Sequence, residues 1–254
     1  MLFSEIKSKK EKRKGKKKMA IHLFIVNLKR RKDRWDLFEK HINDLFKQDN
    51  QKSWFSYERF EAVCNPLDPR TGCMHSHRDA VALAKERGYK RIWVCEDDVI
   101  FRFTDADKMR IAFETAEKYM VHVNAGIMLG GSSHCSGLKV VRKKGGSVAT
   151  PPDISFLSVT GRFSGTHCLC YDVDMCHSVL HDEKWCPKGR HVDVSLSEYM
   201  SKNRSAFPIF VIVPFIAYAR DGDSDIRGGE YCEDQKYFET AEASCKRILK
   251  KTIF

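Results

Sequence analysis

Apolar, strand-length runs alternate with segments of helical period along most of this chain, and that alternation restricts the fold more than any other feature. Ile21-His22-Leu23-Phe24-Ile25-Val26-Asn27 is apolar, partly β-branched and bounded by polar residues, as a buried strand requires. In the charged segment from Arg30 to Phe46, Trp35, Phe38, Ile42, Leu45 and Phe46 recur at steps of three and four, the stripe of a helix lying on a core. Tyr57–Val63 reads as a second strand, ending before Pro66 and Pro69. His77–Arg87 reads as a helix stopped by Gly88, and Arg91–Val99 as a strand carrying Glu96-Asp97-Asp98 at its end. Lys108–His122 is a third helix, and Ala125–Leu129 a short strand closed by Gly130-Gly131. Residues 132–160 are rich in Gly, Ser, Lys and Pro and read as a long loop with room for a hairpin. Arg162–Tyr171 is a strand, Val173–His181 a short helix capped by Asp172 or Asp174, Asp193–Lys202 a helix and Phe210–Pro214 a strand. Asp234–Lys251 is helical and basic at its C-terminal end, as the helix dipole favours. The order predicts a single α/β domain with a mostly parallel central sheet flanked by helices. Such sheets bind ligands beyond the carboxyl ends of their strands, where Asn27 and Glu96-Asp97-Asp98 both fall.

The chain has 254 residues, enough for one large core. Its net charge of +11 is concentrated in residues 1–18, where Lys7, Lys9, Lys10, Lys12, Arg13, Lys14, Lys16, Lys17 and Lys18 face only Glu5 and Glu11. The expected organisation is a basic, disordered tail over 1–18 and a folded domain over 19–254. Weak contact with an anionic surface through Lys7–Lys18 is expected. Sequence-specific nucleic-acid recognition is not, because the tail has no aromatic interleaving. Neither a secretory signal nor a membrane span is legible: Ile21–Val26 is too short and Phe207–Ala219 is interrupted by Pro208 and Pro214. A cytoplasmic setting is the expectation. The ten cysteines are scattered, several within apolar strands, and read as reduced thiols packed as small hydrophobes. The grouping Cys168, Cys170, Cys176, His177, Cys186 and His191 matches no usual structural zinc spacing.

Three adjacent carboxylates at a strand end repel one another. Unit charges about 4 Å apart cost roughly 4 kcal/mol at an effective dielectric of 20. A divalent cation offsets that cost. Residues i and i+2 of a strand point to one side, so Glu96 and Asp98 can converge on an ion while Asp97 points away or meets a ligand. Oxygen donors suit Mn2+ or Mg2+. Alone, the triplet is equally a solvated acidic loop or a turn cap. Asn27-Leu28-Lys29-Arg30-Arg31-Lys32-Asp33-Arg34 adds basic groups where a strand opens into a helix, an arrangement that serves diphosphate binding or a solvated helix face.

Phe24-Ile25-Val26-Asn27-Leu28-Lys29-Arg30-Arg31-Lys32-Asp33-Arg34 resembles the first strand and turn of glycosyltransferase family 25, which includes bacterial lipooligosaccharide galactosyltransferases and collagen hydroxylysine galactosyltransferases. Gly72-Cys73, Ser76-His77, a helix to Gly88 and the strand ending in Glu96-Asp97-Asp98 resemble its second signature. Looser likenesses follow in Gly165–Tyr171, Val192-Asp193, Pro214 and Ser224-Asp225-Ile226. The Pro66-Leu67-Asp68-Pro69 stretch, His75, Cys168 and Cys170 depart from the family's pattern.

The resemblance implies a GT-A-like domain that transfers a hexose, galactose or glucose favoured, with inversion. The donor would be a nucleotide sugar, UDP-linked by preference, and the acceptor a glycan, lipid-linked sugar or protein hydroxyl. It implies Glu96 and Asp98 as ligands of Mn2+ (or Mg2+), and Asp97 at the donor sugar or ribose. Asn27, Arg30 and Arg34 would face the nucleotide or its phosphates, and Ser76 and His77 would line the donor pocket. Asp193 is the candidate base, with Asp223 and Asp225 as further groups closing the site. Plain helix caps are the bland readings of Ser76 and Asp193. The rival functional reading is a non-catalytic nucleotide-sugar or glycan-binding protein on the same fold.

Overall fold

The computed structural model describes residues 21–47, 54–103, 105–140, 151, 153–223, 225, 230–231 and 234–251. The expected tail over 1–18 lies outside these residues. So do Ser224 and Ile226.

In chain order the elements are β1 (Ile21–Asn27), α1 (Lys32–Leu45), β2 (Phe55–Glu61), α2 (Pro69–Glu86), β3 (Arg91–Glu96), β4 (Val99–Phe101), α3 (Ala106–Val123), β5 (Ile127–Leu129), β6 (His134–Cys135), β7 (Leu138–Val140) and β8 (Ser155–Val159). They continue through β9 (Phe163–Ser164), β10 (Cys168–Asp172), α4 (Val173–Leu180), α5 (Val192–Lys202), β11 (Ile209–Val213), β12 (Ala217–Ala219), β13 (Gly222–Asp223), β14 (Glu230–Tyr231) and α6 (Asp234–Lys251).

An eight-stranded sheet in the order β2-β1-β3-β10-β5-β11-β8-β7 forms the centre. β1 pairs in parallel with β2 and β3, and β5 with β11, while β10 and β8 run against their neighbours. The fold is the expected mixed α/β arrangement, a large and mostly parallel sheet flanked by helices. β4 and β12 make a small separate ribbon beside it.

Strand periodicity divides the core in two. Phe24, Val94, Leu129, Leu169 and Tyr171 belong to one cluster, joined by α2, α4 and α5 side chains such as Val81, Val179 and Leu196. Leu23, Ile25, Trp93, Cys95, Cys168 and Cys170 belong to the other, joined by Phe38 and Ile42 of α1 and Phe113 of α3. Successive residues of β1, β3 and β10 thus face opposite layers, as a period of two demands. Cys95, Cys168 and Cys170 are buried free thiols in an apolar layer. Burial pushes the Cys170 and Cys176 thiols well above the usual range, as expected of inert packing groups. Among the described residues no helix is long and apolar enough to cross a membrane.

Two elements differ from the sequence expectation in ways that shape the site. α2 begins at Pro69, not at His77. Asp68 caps it, accepting from the Thr71 N–H at 3.3 Å, and Pro69 takes the first turn, where a missing N–H costs nothing. Ser76 is therefore mid-helix: its hydroxyl donates to the Gly72 carbonyl and accepts from the Val63 N–H, both at 2.8 Å. The second difference is that β3 stops at Glu96. Asp97-Asp98 form a turn, and the chain resumes as β4 in the ribbon.

Candidate functional site

A cleft of about 350 Å3 opens along the edge where β1 and β3 end. Arg30, Arg34, Ser76, Glu96, Asp97, Asp98 and Asp193 all line it. Residues from separate segments of sequence therefore meet at one place. Asn27 and His77 lie one layer behind, at 1% and 0% exposure. They touch the acidic groups instead of the cleft, because β1 lies within the sheet and α2 packs against it at those positions.

The turn at Asp97-Asp98 separates the three carboxylates. Asp97 accepts from the Asn27 side-chain amide and from Arg34 Nη1, the latter at 2.9 Å. Burial and the Asp98 charge push its carboxyl up to about 6, with Arg34 and Asn27 pulling the other way. Arg34 Nη1 is also 3.5 Å from Asp98 Oδ2. Part of the repulsion foreseen in the sequence is thus relieved by an arginine of α1. Glu96 and Asp98 turn toward His167, whose Nδ1 is 3.5 Å from Glu96 Oε2 and 3.1 Å from Asp98 Oδ1. Burial pushes the Glu96 carboxyl up, but His167, His77 and the Thr166 hydroxyl together outweigh it and hold it low. The Thr166 hydroxyl donates directly to Glu96 Oε1.

Donor atoms of Glu96, Asp98 and His167 lie within 4.8 Å of one another. Two carboxylates and one imidazole suit a divalent ion such as Mn2+, which accepts both oxygen and nitrogen donors. His167 was not legible as a site residue in the sequence. It precedes β10, which runs antiparallel to β3, so the start of one strand meets the end of the other. The Glu96 N–H donates to the His167 carbonyl at 3.2 Å, fixing that register. A short Gly-Thr-His segment before an apolar run was the only visible signal.

Asp193 is in the first turn of α5 but is not its cap; His191 holds that position. Asp193 Oδ2 accepts from the Gly165 N–H at 3.0 Å, and Oδ1 from the Val194 N–H at 2.7 Å. Gly165 has φ +92, a conformation open to glycine at little cost. Asp193 also lines a second cavity of about 420 Å3, shared with Pro69, Ser164 and His191. It therefore stands in the wall between two adjoining spaces. At the other end of the cleft, Asp225 takes Arg30 Nη2 at 2.6 Å and Arg31 Nη1 at 2.7 Å. Arg30 remains 59% exposed beside the opening. Among the described residues, the grouping of Cys168, Cys170, Cys176, His177, Cys186 and His191 does not come together as a cation site.

No known family profile matches this chain, and no curated protein does. Comparison with solved structures returns "Crystal Structure of A197 from STIV" at 12% identity, covering 79% of this chain and 85% of that one, with a TM-score of 0.39. It also returns mannose-1-phosphate geranyltransferase from Thermus thermophilus at 8% identity, covering 76% of this chain and 73% of that one, with a TM-score of 0.41. Similarity of this order carries no functional information.

Proposed function

We propose that this protein is a metal-dependent, inverting glycosyltransferase that moves a hexose from a nucleotide sugar to an acceptor hydroxyl. The observation that carries the reading is the convergence of Glu96, Asp98 and His167 on one point of a cleft that Asp193 also lines. The resemblance of its two leading motifs to glycosyltransferase family 25 supports the same reading.

Glu96, Asp98 and His167 would hold Mn2+ or Mg2+. When bound, such an ion acts as a Lewis acid toward the leaving diphosphate. Arg30 stands exposed at the rim, where a donor phosphate would enter. Arg34 and Asn27 hold Asp97 in place, leaving its edge to meet the donor sugar or ribose. Ser76 contributes to the cleft wall, and His77 backs Glu96 from within. The second cavity admits the acceptor. Asp193 takes the acceptor's hydroxyl proton as that oxygen bonds to the anomeric carbon and the bond to the diphosphate oxygen breaks from the opposite face. Its two backbone N–H contacts fix the carboxylate for that task.

A screen of nucleotide-sugar hydrolysis with and without Mn2+ tests enzyme, ion and donor together. The wild type should turn over a donor only with the ion present. Asp98→Asn should lose activity by about 100-fold or more, since changes around a metal commonly cost 10–100-fold even one shell out. Undiminished activity in that variant would sink the ion assignment. Donor-induced stabilisation without turnover would instead establish a binding protein.

A further inference from the structure

We propose that Cys73, His77 and Glu96 form a second cation site, taking a thiophilic divalent ion of the Zn2+ class. The inference does not depend on glycosyl transfer. Cys73 and His77 are four residues apart on α2 and so share one helix face. That face meets the end of β3, and the three donor atoms lie within 4.8 Å of one another.

His77 supplies the deciding observation. It is fully buried, and its Nε2 has no hydrogen-bond partner. Buried nitrogens are seldom left so. Glu96 Oε1 is 3.7 Å away, too far for a hydrogen bond. Two ligands at about 2.1 Å from a tetrahedral ion stand roughly 3.4 Å apart, so the spacing is close to the edge of a zinc coordination tetrahedron. The opposite ring nitrogen, Nδ1, is 2.9 Å from the Tyr171 hydroxyl. A metal-bound imidazole characteristically has such a partner, which fixes its tautomer.

Thiolate and imidazole donors distinguish this group from the neighbouring one, which has no sulfur. Glu96 belongs to both. Its Oε1 faces His77 and its Oε2 faces His167, so each oxygen serves one group. Cys73 and Glu96 also border the cleft, which gives an ion its route in and a water its place as fourth ligand. On binding, the Cys73 thiol proton passes to solvent.

Titration of the full-length protein with Co2+ reads the site directly. One equivalent should produce a thiolate-to-cobalt charge-transfer band that Zn2+ removes. The band should vanish in Cys73→Ser and persist in Asp98→Asn. Absence of the band in the wild type, its survival in Cys73→Ser, or its loss in a folded Asp98→Asn would each overturn the proposal.

Discussion

Glu117, on α3, receives the Trp93 indole N–H at 3.0 Å and lies 3.9 Å from the Arg91 guanidinium. Burial pushes its carboxyl up from 4.5 to about 7, against the pull of Arg91 and Trp93. Between those values the folded protein keeps a proton that the unfolded chain has released. The stability this group contributes is therefore full below about pH 4.5 and is lost as the pH rises through about 7. The shift corresponds to roughly 3 kcal/mol at most. Glu117→Gln retains an acceptor for Trp93 and cannot ionise. Its melting temperature relative to wild type should rise between about pH 5 and pH 8. A constant offset across that range would show that Glu117 is ionised throughout. At this same scale the sequence placed Glu96 and Asp98 at a strand end by their spacing, while Asp193 was singled out only through the family resemblance; all three line the cleft. Cys73, Thr166 and His167 fell inside segments the resemblance named, but none carried a role of its own there. Their significance comes from which strand or helix lies opposite, and no local pattern encodes that.

At the scale of elements, β5 ends at Gly130-Gly131 for a reason other than flexibility. The Gly130 carbonyl accepts from the Ala217 N–H at 3.2 Å, and a Cβ on Gly131 would collide with the Ala217 carbonyl oxygen. The glycines let β5 run against the β4–β12 ribbon. Gly131→Ala should destabilise the protein by about 1–3 kcal/mol, the usual cost of forcing backbone apart, measurable as a lower urea midpoint with unchanged slope. An unchanged midpoint would mean the ribbon yields freely. β1, α1, α3, β11 and α6 were legible within a few residues, since apolar spacing alone defines them. The start of α2 was not, although Asp68-Pro69 is a start signal, because the Ala- and Leu-rich stretch after His77 dominates the local pattern. Arg162–Tyr171 reads as one strand in the sequence. The backbone breaks at Gly165, which turns to reach Asp193. The reversed direction of β10 was also hidden, because strand direction depends on how connections cross the sheet, and residues 132–160, read as a loop with room for a hairpin, hold β6, β7 and β8, the last two paired antiparallel.

Over the whole molecule, α6 secures the side of the domain next to the cleft. Glu242, 2% exposed, accepts from Arg102, Lys246, the Tyr218 hydroxyl and the Phe215 N–H. It thereby ties the C-terminal helix to the residue after β4 and to the β11–β12 region. Burial pushes its carboxyl up, but Lys246, Arg102 and Tyr218 prevail and hold it below 4.5. Glu242→Ala leaves the Arg102 and Lys246 charges without their shared partner. It should cost about 1–3 kcal/mol in urea unfolding, because the Phe215 N–H and Tyr218 hydroxyl lose their acceptor while Arg102 and Lys246, 35% and 46% exposed, stay solvated. A loss under about 1 kcal/mol would place these contacts among surface pairs of little weight. The same helix reaches the acidic cluster, since the Phe238 ring stands edge-on to His167 with centroids 5.5 Å apart.

β10 begins where β3 ends, so the donor set of the proposed ion site depends on how these two strands pair. Thr166, His167 and Cys168 follow one another at that junction, one hydroxyl, one imidazole and one thiol. Because neighbouring residues of a strand face opposite ways, a one-residue slip of β10 against β3 would bring Thr166 or Cys168 to the position His167 occupies. The first exchange would leave an all-oxygen set, the second a sulfur-bearing one. In the proposed ion site, the pairing of β10 with β3, fixed by Leu169 and Tyr171 in one core layer and Cys168 and Cys170 in the other, would thus set the donor chemistry as much as side-chain identity does.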